Sequence, residues 1–163
     1  MFNLDADLRQ GLIFGVNSGV ITTAGVLAGL VQTPVSPLIV IVTIVSLAIS
    51  DGLAESYGLF ISKKVEEPGD KSSGPARSFI GLLLTKMIVV LSFLIPFLFS
   101  RKLNYYKNML WPILWGLLIL TVLDYYASRL RKEKILPYLV HHYILLGLTL
   151  LLNIFFGKAI AKL

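Results

Sequence analysis

Asp51 and Glu55 stand four residues apart inside the apolar stretch PLIVIVTIVSLAISDGLAESYGLFIS. On a helix that spacing puts both carboxylates on one face. A carboxylate near the centre of a bilayer costs ~2.5–3.5 kcal/mol on insertion scales. Two of them, one turn apart, need partners, water or a bound cation. Intramembrane carboxylates mark ion and proton pathways by default, so the functional chemistry is cation binding by oxygen ligands. The plainer chemistry is a structural salt bridge, and Lys86, inside the apolar stretch SFIGLLLTKMIVVLSFLIPFLF, is the cation to supply it. Both hold if a bound cation displaces Lys86. Three carboxylates in apolar segments, Asp51, Glu55 and Asp124, against the one ammonium of Lys86 leave a net −2. That charge suits a divalent cation, although protonation would cancel it equally well and make these groups proton carriers.

Other polar residues interrupt apolar runs and have two readings each. Asn17 alone serves as hydrogen-bonding glue between helices or as a ligand. His141 and His142 adjoin a membrane interface, where they tether the helix or line a vestibule; a lone His pair is a weak metal signal. Asp124 most simply pairs with Arg129 or Lys86. Glu66, Glu67 and Asp70 read as solvated loop charges at an entrance.

Five apolar runs must position these residues. The 163-residue chain is 56% hydrophobic, with a mean hydropathy of +0.80, where a soluble domain is ~45–50% apolar. The runs are expected as spans at about 11–31, 38–62, 79–99, 109–128 and 138–157, each near the ~20 residues that cross a bilayer. This predicts an all-α membrane protein forming one transmembrane domain, with no space for a soluble module. Gly11, Gly15 and Gly19, then Gly25 and Gly29, form small-residue ridges on span 1 that allow close helix approach. Pro34 and Pro37 stop one helix and start the next. The segment from 63 to 77 is a polar Gly/Pro/Ser loop, expected to be irregular.

Lys and Arg set the orientation. With the N-terminus cytoplasmic, the inside holds Arg9, Lys63, Lys64, Lys71, Arg77, Arg129, Arg131, Lys132 and Lys134, nine in all. The outside holds Arg101, Lys102, Lys107, Lys158 and Lys162, which is five. A cytoplasmic N-terminus and an outer or lumenal C-terminus are therefore expected. At 1.5 Å of rise per residue, Asp51 falls near the middle of span 2, Glu55 and Asn17 about 6 Å to the cytoplasmic side, and Lys86 about 4–5 Å. Asp124 and the histidines fall about 8–9 Å inside; Asn153 is the exception in the outer half. The pattern predicts an inward-facing cavity ending at Asp51.

Several classes are excluded or unsupported. The chain has no cysteine, which removes thiolate sites, disulfides and Cys nucleophiles. No GxSxG, HExxH, Walker or dinucleotide pattern occurs, so an enzyme is not expected. The net charge of +6 resides at span flanks, where it reads as topology and lipid contact rather than nucleic-acid binding. The acidic start MFNLDADLRQ and the length of the following run argue against a cleaved signal peptide.

LRQGLIFGVNSGVITTAGVLAGL resembles the first span of the vacuolar iron transporter family, and SLAISDGLAESYGLFIS resembles its second. SFLIPFLF is similar to the end of the third span and LGLTLLLNIFFGKAI to the fifth. The likeness is specific over residues 9–62. It implies a five-span homodimer packed through span 1, with an ion path at the interface. It also implies export of ferrous iron or a related divalent metal from the cytoplasm, in exchange for protons in at least some members. Three positions depart from the family pattern. Ser18 replaces the Asp of an Asn-Asp-Gly turn, Glu55 replaces a soft Met ligand, and the long cytoplasmic metal-binding segment is reduced to residues 63–77. The paired mid-span carboxylates, taken with the resemblance, make Asp51 and Glu55 the expected main metal ligands, with Asn17 and Ser18 adding neutral oxygens. Such an all-oxygen site favours Mn²⁺-like hard ions more than the family site does. No resident cofactor is expected beyond the transported Fe²⁺ or Mn²⁺. The alternative function is a non-transporting membrane interaction protein in which Lys86 has locked a vestigial site.

Overall fold

The computed structural model describes residues 5–66, 73–100 and 110–162. Among them every regular element is helical: α1 (Ala6–Leu30), α2 (Pro37–Ser46), a π-helical turn (Leu47–Asp51), α3 (Gly52–Glu66), α4 (Gly74–Ser92), α5 (Leu94–Ser100), α6 (Leu110–Arg131) and α7 (Ile135–Ile160). They make five helices long and apolar enough to cross a membrane: Ala6–Leu30, Pro37–Glu66, Gly74–Phe97, Leu110–Arg131 and Ile135–Ile160. The side chains of residues 98–100, Glu67, Asp70 and the basic segment 101–109 lie outside what is described.

Local chemistry sets the ends. Ser36 caps α2 by accepting from the Ile39 amide at 3.4 Å, and Pro37 opens the helix, where its missing N–H costs nothing. Pro75 does the same for α4, so the third span starts at Gly74 rather than at the expected 79. Both ends of the segment expected to be irregular, 63–77, are helical instead, because α3 runs on to Glu66 and α4 begins at Gly74. Pro96 cannot donate to the preceding turn, and the third span breaks at Phe93, between α4 and α5.

α1 is the central helix. Its first glycine ridge lies against α4: a Cβ on Gly11 would collide with the Ser78 carbonyl oxygen, and one on Gly15 would meet the Leu82 carbonyl oxygen at 2.7 Å. Its second ridge lies against α7, where Gly25 faces Thr149 and Gly29 faces Asn153. The offset between contacting residues stays nearly constant along each pair, so α1, α4 and α7 run parallel, as first, third and fifth spans must. The expectation that these glycines receive a second copy therefore needs correcting: the chain's own α4 and α7 fill both ridges. The buried core, including Val20, Ala24, Ile44, Val90, Phe93 and Leu120, lies between these helices and α2 and α6.

Beyond the core, large apolar side chains face outward, Leu38, Ile88, Val122 and Leu151 among them. An apolar exterior is what a lipid-facing bundle requires. Asp5 pairs with Arg77 at 3.2 Å, and Asp7 pairs with Lys63. These contacts tie the N-terminal turn of α1 to the start of α4 and the end of α3. The Arg77 guanidinium bonded to Asp5 holds that carboxyl below its ordinary value.

Candidate functional site

Lys86 of α4 is fully buried, and its Nζ stands 2.6 Å from Asp51 Oδ2 and 2.6 Å from Glu55 Oε2. Three features of the chain produce this. Asp51 and Glu55 share a face because they are one turn apart. The Lys86 backbone is drawn close to α1 because Gly15 offers no side chain there, and the ammonium then points to the α3 side. The π-helical turn ends on Asp51, so the orientation of both carboxylates relative to the first half of span 2 depends on one extra residue in the helix. Such π turns frequently sit at functional sites.

The two carboxylates are not sealed: each side chain keeps 30% of its exposure. The ammonium and the two oxygens lie at ion-pair distance, but their angles do not align as hydrogen bonds. Charge attraction at this short range holds the trio. It carries two negative charges against one positive. No third His, Cys, Asp or Glu joins it in a group that could hold a metal ion, among the described residues.

The other polar residues form a second site. Asp124 on α6 is fully buried, and its Oδ1 lies 2.5 Å from Nδ1 of His142 on α7. The expected pairing with Arg129 or Lys86 is thus replaced. Arg129 lies over the Tyr125 ring, and Lys86 is engaged by the other two carboxylates. A carboxylate on Nδ1 fixes the imidazole and leaves Nε2 for whatever the ring faces. His142 faces a cleft of about 590 Å³ between α1, α6 and α7, which Asn17 also lines. His141 is exposed on the outer surface of α7 and takes no part.

The expected cavity is therefore divided. Asn17 is two residues from Gly15, about 160° round the helix at 100° per residue, and so lies on the far side of α1 from the Lys86 backbone. The helix turns Asn17 towards His142, not towards Asp51. Ser18 is about 60° from Gly15, turned to the ridge that α7 covers. The Asn17 Oδ1 and Ser18 Oγ atoms are buried without a hydrogen-bond partner. Asn153, the outlier in depth, donates to the Thr149 carbonyl at 2.9 Å and fills the notch over Gly25 and Gly29.

The fold and this site define the class: an all-helical chain of five potential membrane spans, with a three-residue charge cluster inside the span region. No protein-family model, no curated protein and no solved structure matches the chain.

Proposed function

We propose that the protein is a secondary transporter of a divalent cation in which Lys86 stands in the cation's place between Asp51 and Glu55. The placement of Lys86 Nζ 2.6 Å from each carboxylate carries this reading. A fully buried ammonium held by two half-exposed carboxylates marks a position already selective for positive charge. When the ammonium swings away, two carboxylates remain, and their charge balances a divalent ion. Carboxylate oxygens suit Mn²⁺ or Fe²⁺ at such a site, with water or neutral oxygens completing the shell. The likeness of residues 9–62 to vacuolar iron transporters supports the same class. The direction is export from the cytoplasm, with protons as counter-ions, and the buried contact of Asp124 with His142 supplies the acid–base pair that would carry them.

The homodimer belongs to this reading, with its face moved from span 1 to span 2. Ser46, Ser50, Ala54, Gly58 and Ser62 are all exposed. They form a small-residue stripe beside the half-exposed carboxylates, as close helix packing requires. A second copy on that stripe would cover Asp51 and Glu55 from lipid.

Uptake of Mn²⁺ and Fe²⁺ into proteoliposomes under a pH gradient tests the proposal. The Asp51→Asn/Glu55→Gln double variant is expected to lose uptake; transport equal to wild type would overturn the site. The tight Lys86 contacts also favour a second reading, a salt bridge that has locked the bundle into a non-transporting interaction protein. In that case the wild-type chain moves no metal, and neither metal raises its melting temperature, whereas a bound ion would.

A further inference from the structure

Across α1 from Lys86, the cleft shared by Asn17 and His142 contains a charge that the carboxylate site does not explain. Arg9 lines it and is half-buried. No carboxylate among the described residues forms an ion pair with it. Its acidic neighbours on α1 are engaged elsewhere, Asp5 with Arg77 and Asp7 with Lys63. No Asp or Glu lines the cleft. Two carboxylates stand behind its wall, and both are matched. Asp124 is held by His142; Glu133 accepts from Tyr138 and pairs with Arg131 at 3.0 Å.

The remaining wall is largely apolar, with Ile13, Phe14, Leu123 and Ala127. Phe14 is exposed, so the cleft opens sideways to the acyl region. The glycine contacts fix the levels. Gly25 opposes Thr149 and Gly29 opposes Asn153; the same offset sets Tyr138 and His142 beside the α1 stretch between Gln10 and Ser18. Arg9 therefore lies beyond them, toward the N-terminal end of α1, the end that a bilayer crossed by these helices would leave near its headgroups. The cleft thus presents an unmatched guanidinium at its outer end and an apolar wall running inward from it.

We propose that this cleft binds an anionic phospholipid, its phosphate on Arg9 and an acyl chain along Ile13, Phe14 and Ala127. The planar guanidinium fork suits phosphate oxygens, and a basic residue at a span end draws anionic headgroups. The apolar wall selects the lipid over a free phosphate, which would gain nothing from Phe14 or Ile13.

Native mass spectrometry of the full chain from detergent micelles tests this, with phosphatidylglycerol, phosphatidylcholine and inorganic phosphate as probes. Wild-type protein is expected to retain phosphatidylglycerol over phosphatidylcholine. Arg9→Gln should reduce the retained phosphatidylglycerol about fivefold. Ala127→Trp, which fills the cleft and leaves Arg9 in place, should also reduce it, and decides the matter if Arg9→Gln fails to fold. Arg129→Gln removes a cation near the same end of the bundle, outside the cleft, and should change nothing. Equal retention of the two lipids, an unchanged Arg9→Gln or Ala127→Trp variant, or displacement of phosphatidylglycerol by inorganic phosphate would overturn the proposal.

Discussion

Lys86 is the residue whose removal should be felt most. Deleting one partner of a buried ion pair typically costs ~3–5 kcal/mol, because the remaining charge is stranded. Here the stranded charges are the two carboxylates, and each keeps part of its exposure. Lys86→Met should therefore destabilise by less, about 2–3 kcal/mol on that scale, measured by denaturant unfolding in detergent. Removing all three charges together, as Asp51→Asn/Glu55→Gln/Lys86→Met, should recover most of the loss, since an uncharged, well-filled replacement of a buried pair is often neutral. A triple variant as unstable as the single one would mean that Lys86 acts through packing rather than charge. This trio was legible in the sequence because depth follows from residue count, and Lys86 was the only cation at the depth of Asp51. The partner of Asp124 was not. Its choice of His142 over Arg129 depends on which faces of α6 and α7 meet, and two helices apolar on nearly every face give no signal of that.

At the scale of helices, the glycines separate close contacts from open ones. A methyl group at Gly11 would enter the space of the Ser78 carbonyl oxygen. That oxygen is helix backbone and a Cβ is fixed rigidly to its own helix backbone, so relief requires the helices to part. Gly58 has nothing within 4 Å of a Cβ. Gly11→Ala is expected to destabilise by ~1–3 kcal/mol, the usual range for overpacking a tight contact. Gly58→Ala should be neutral or stabilising by up to ~1 kcal/mol in the monomer, through helix propensity. Thermal unfolding of the two variants in one detergent checks both signs. The ridge on α1 was visible in the sequence as a spacing of four. Its occupant was not, because a glycine ridge fits a helix of the same chain as well as one from a second copy. The π-helical turn at Leu47–Asp51 was equally hidden, because LAISD contains no residue that forces it. What the sequence did show at this scale was the number of long apolar helices and, within a few residues, their limits, since runs of ~20 apolar residues mark helices of bilayer-crossing length.

For the whole molecule, the proposed homodimer turns on which outer face would meet a second copy. With both α1 ridges filled, the exposed small-residue stripe of span 2 is the face where two helices could approach closely, and it borders Asp51 and Glu55. The absence of cysteine from the chain makes a direct test simple, because any introduced thiol is the sole one. Ser50→Cys and Ala54→Cys should each give a disulfide-linked dimer in membranes under mild oxidation, since symmetric positions at a two-fold helix contact come within the ~4.4–6.8 Å between Cα atoms that a disulfide spans. Leu151→Cys, on the exposed face of α7, should stay monomeric under the same treatment and controls for random collision. Cross-linking at Leu151 with none at Ser50 or Ala54 would move the interface to α7 and leave the carboxylates facing lipid. A dimer through span 2 would instead place two copies of the Asp51–Lys86–Glu55 trio on either side of one seam. The half-exposed oxygens of each would then face protein or water rather than hydrocarbon, which removes the electrostatic cost that first singled out Asp51 and Glu55.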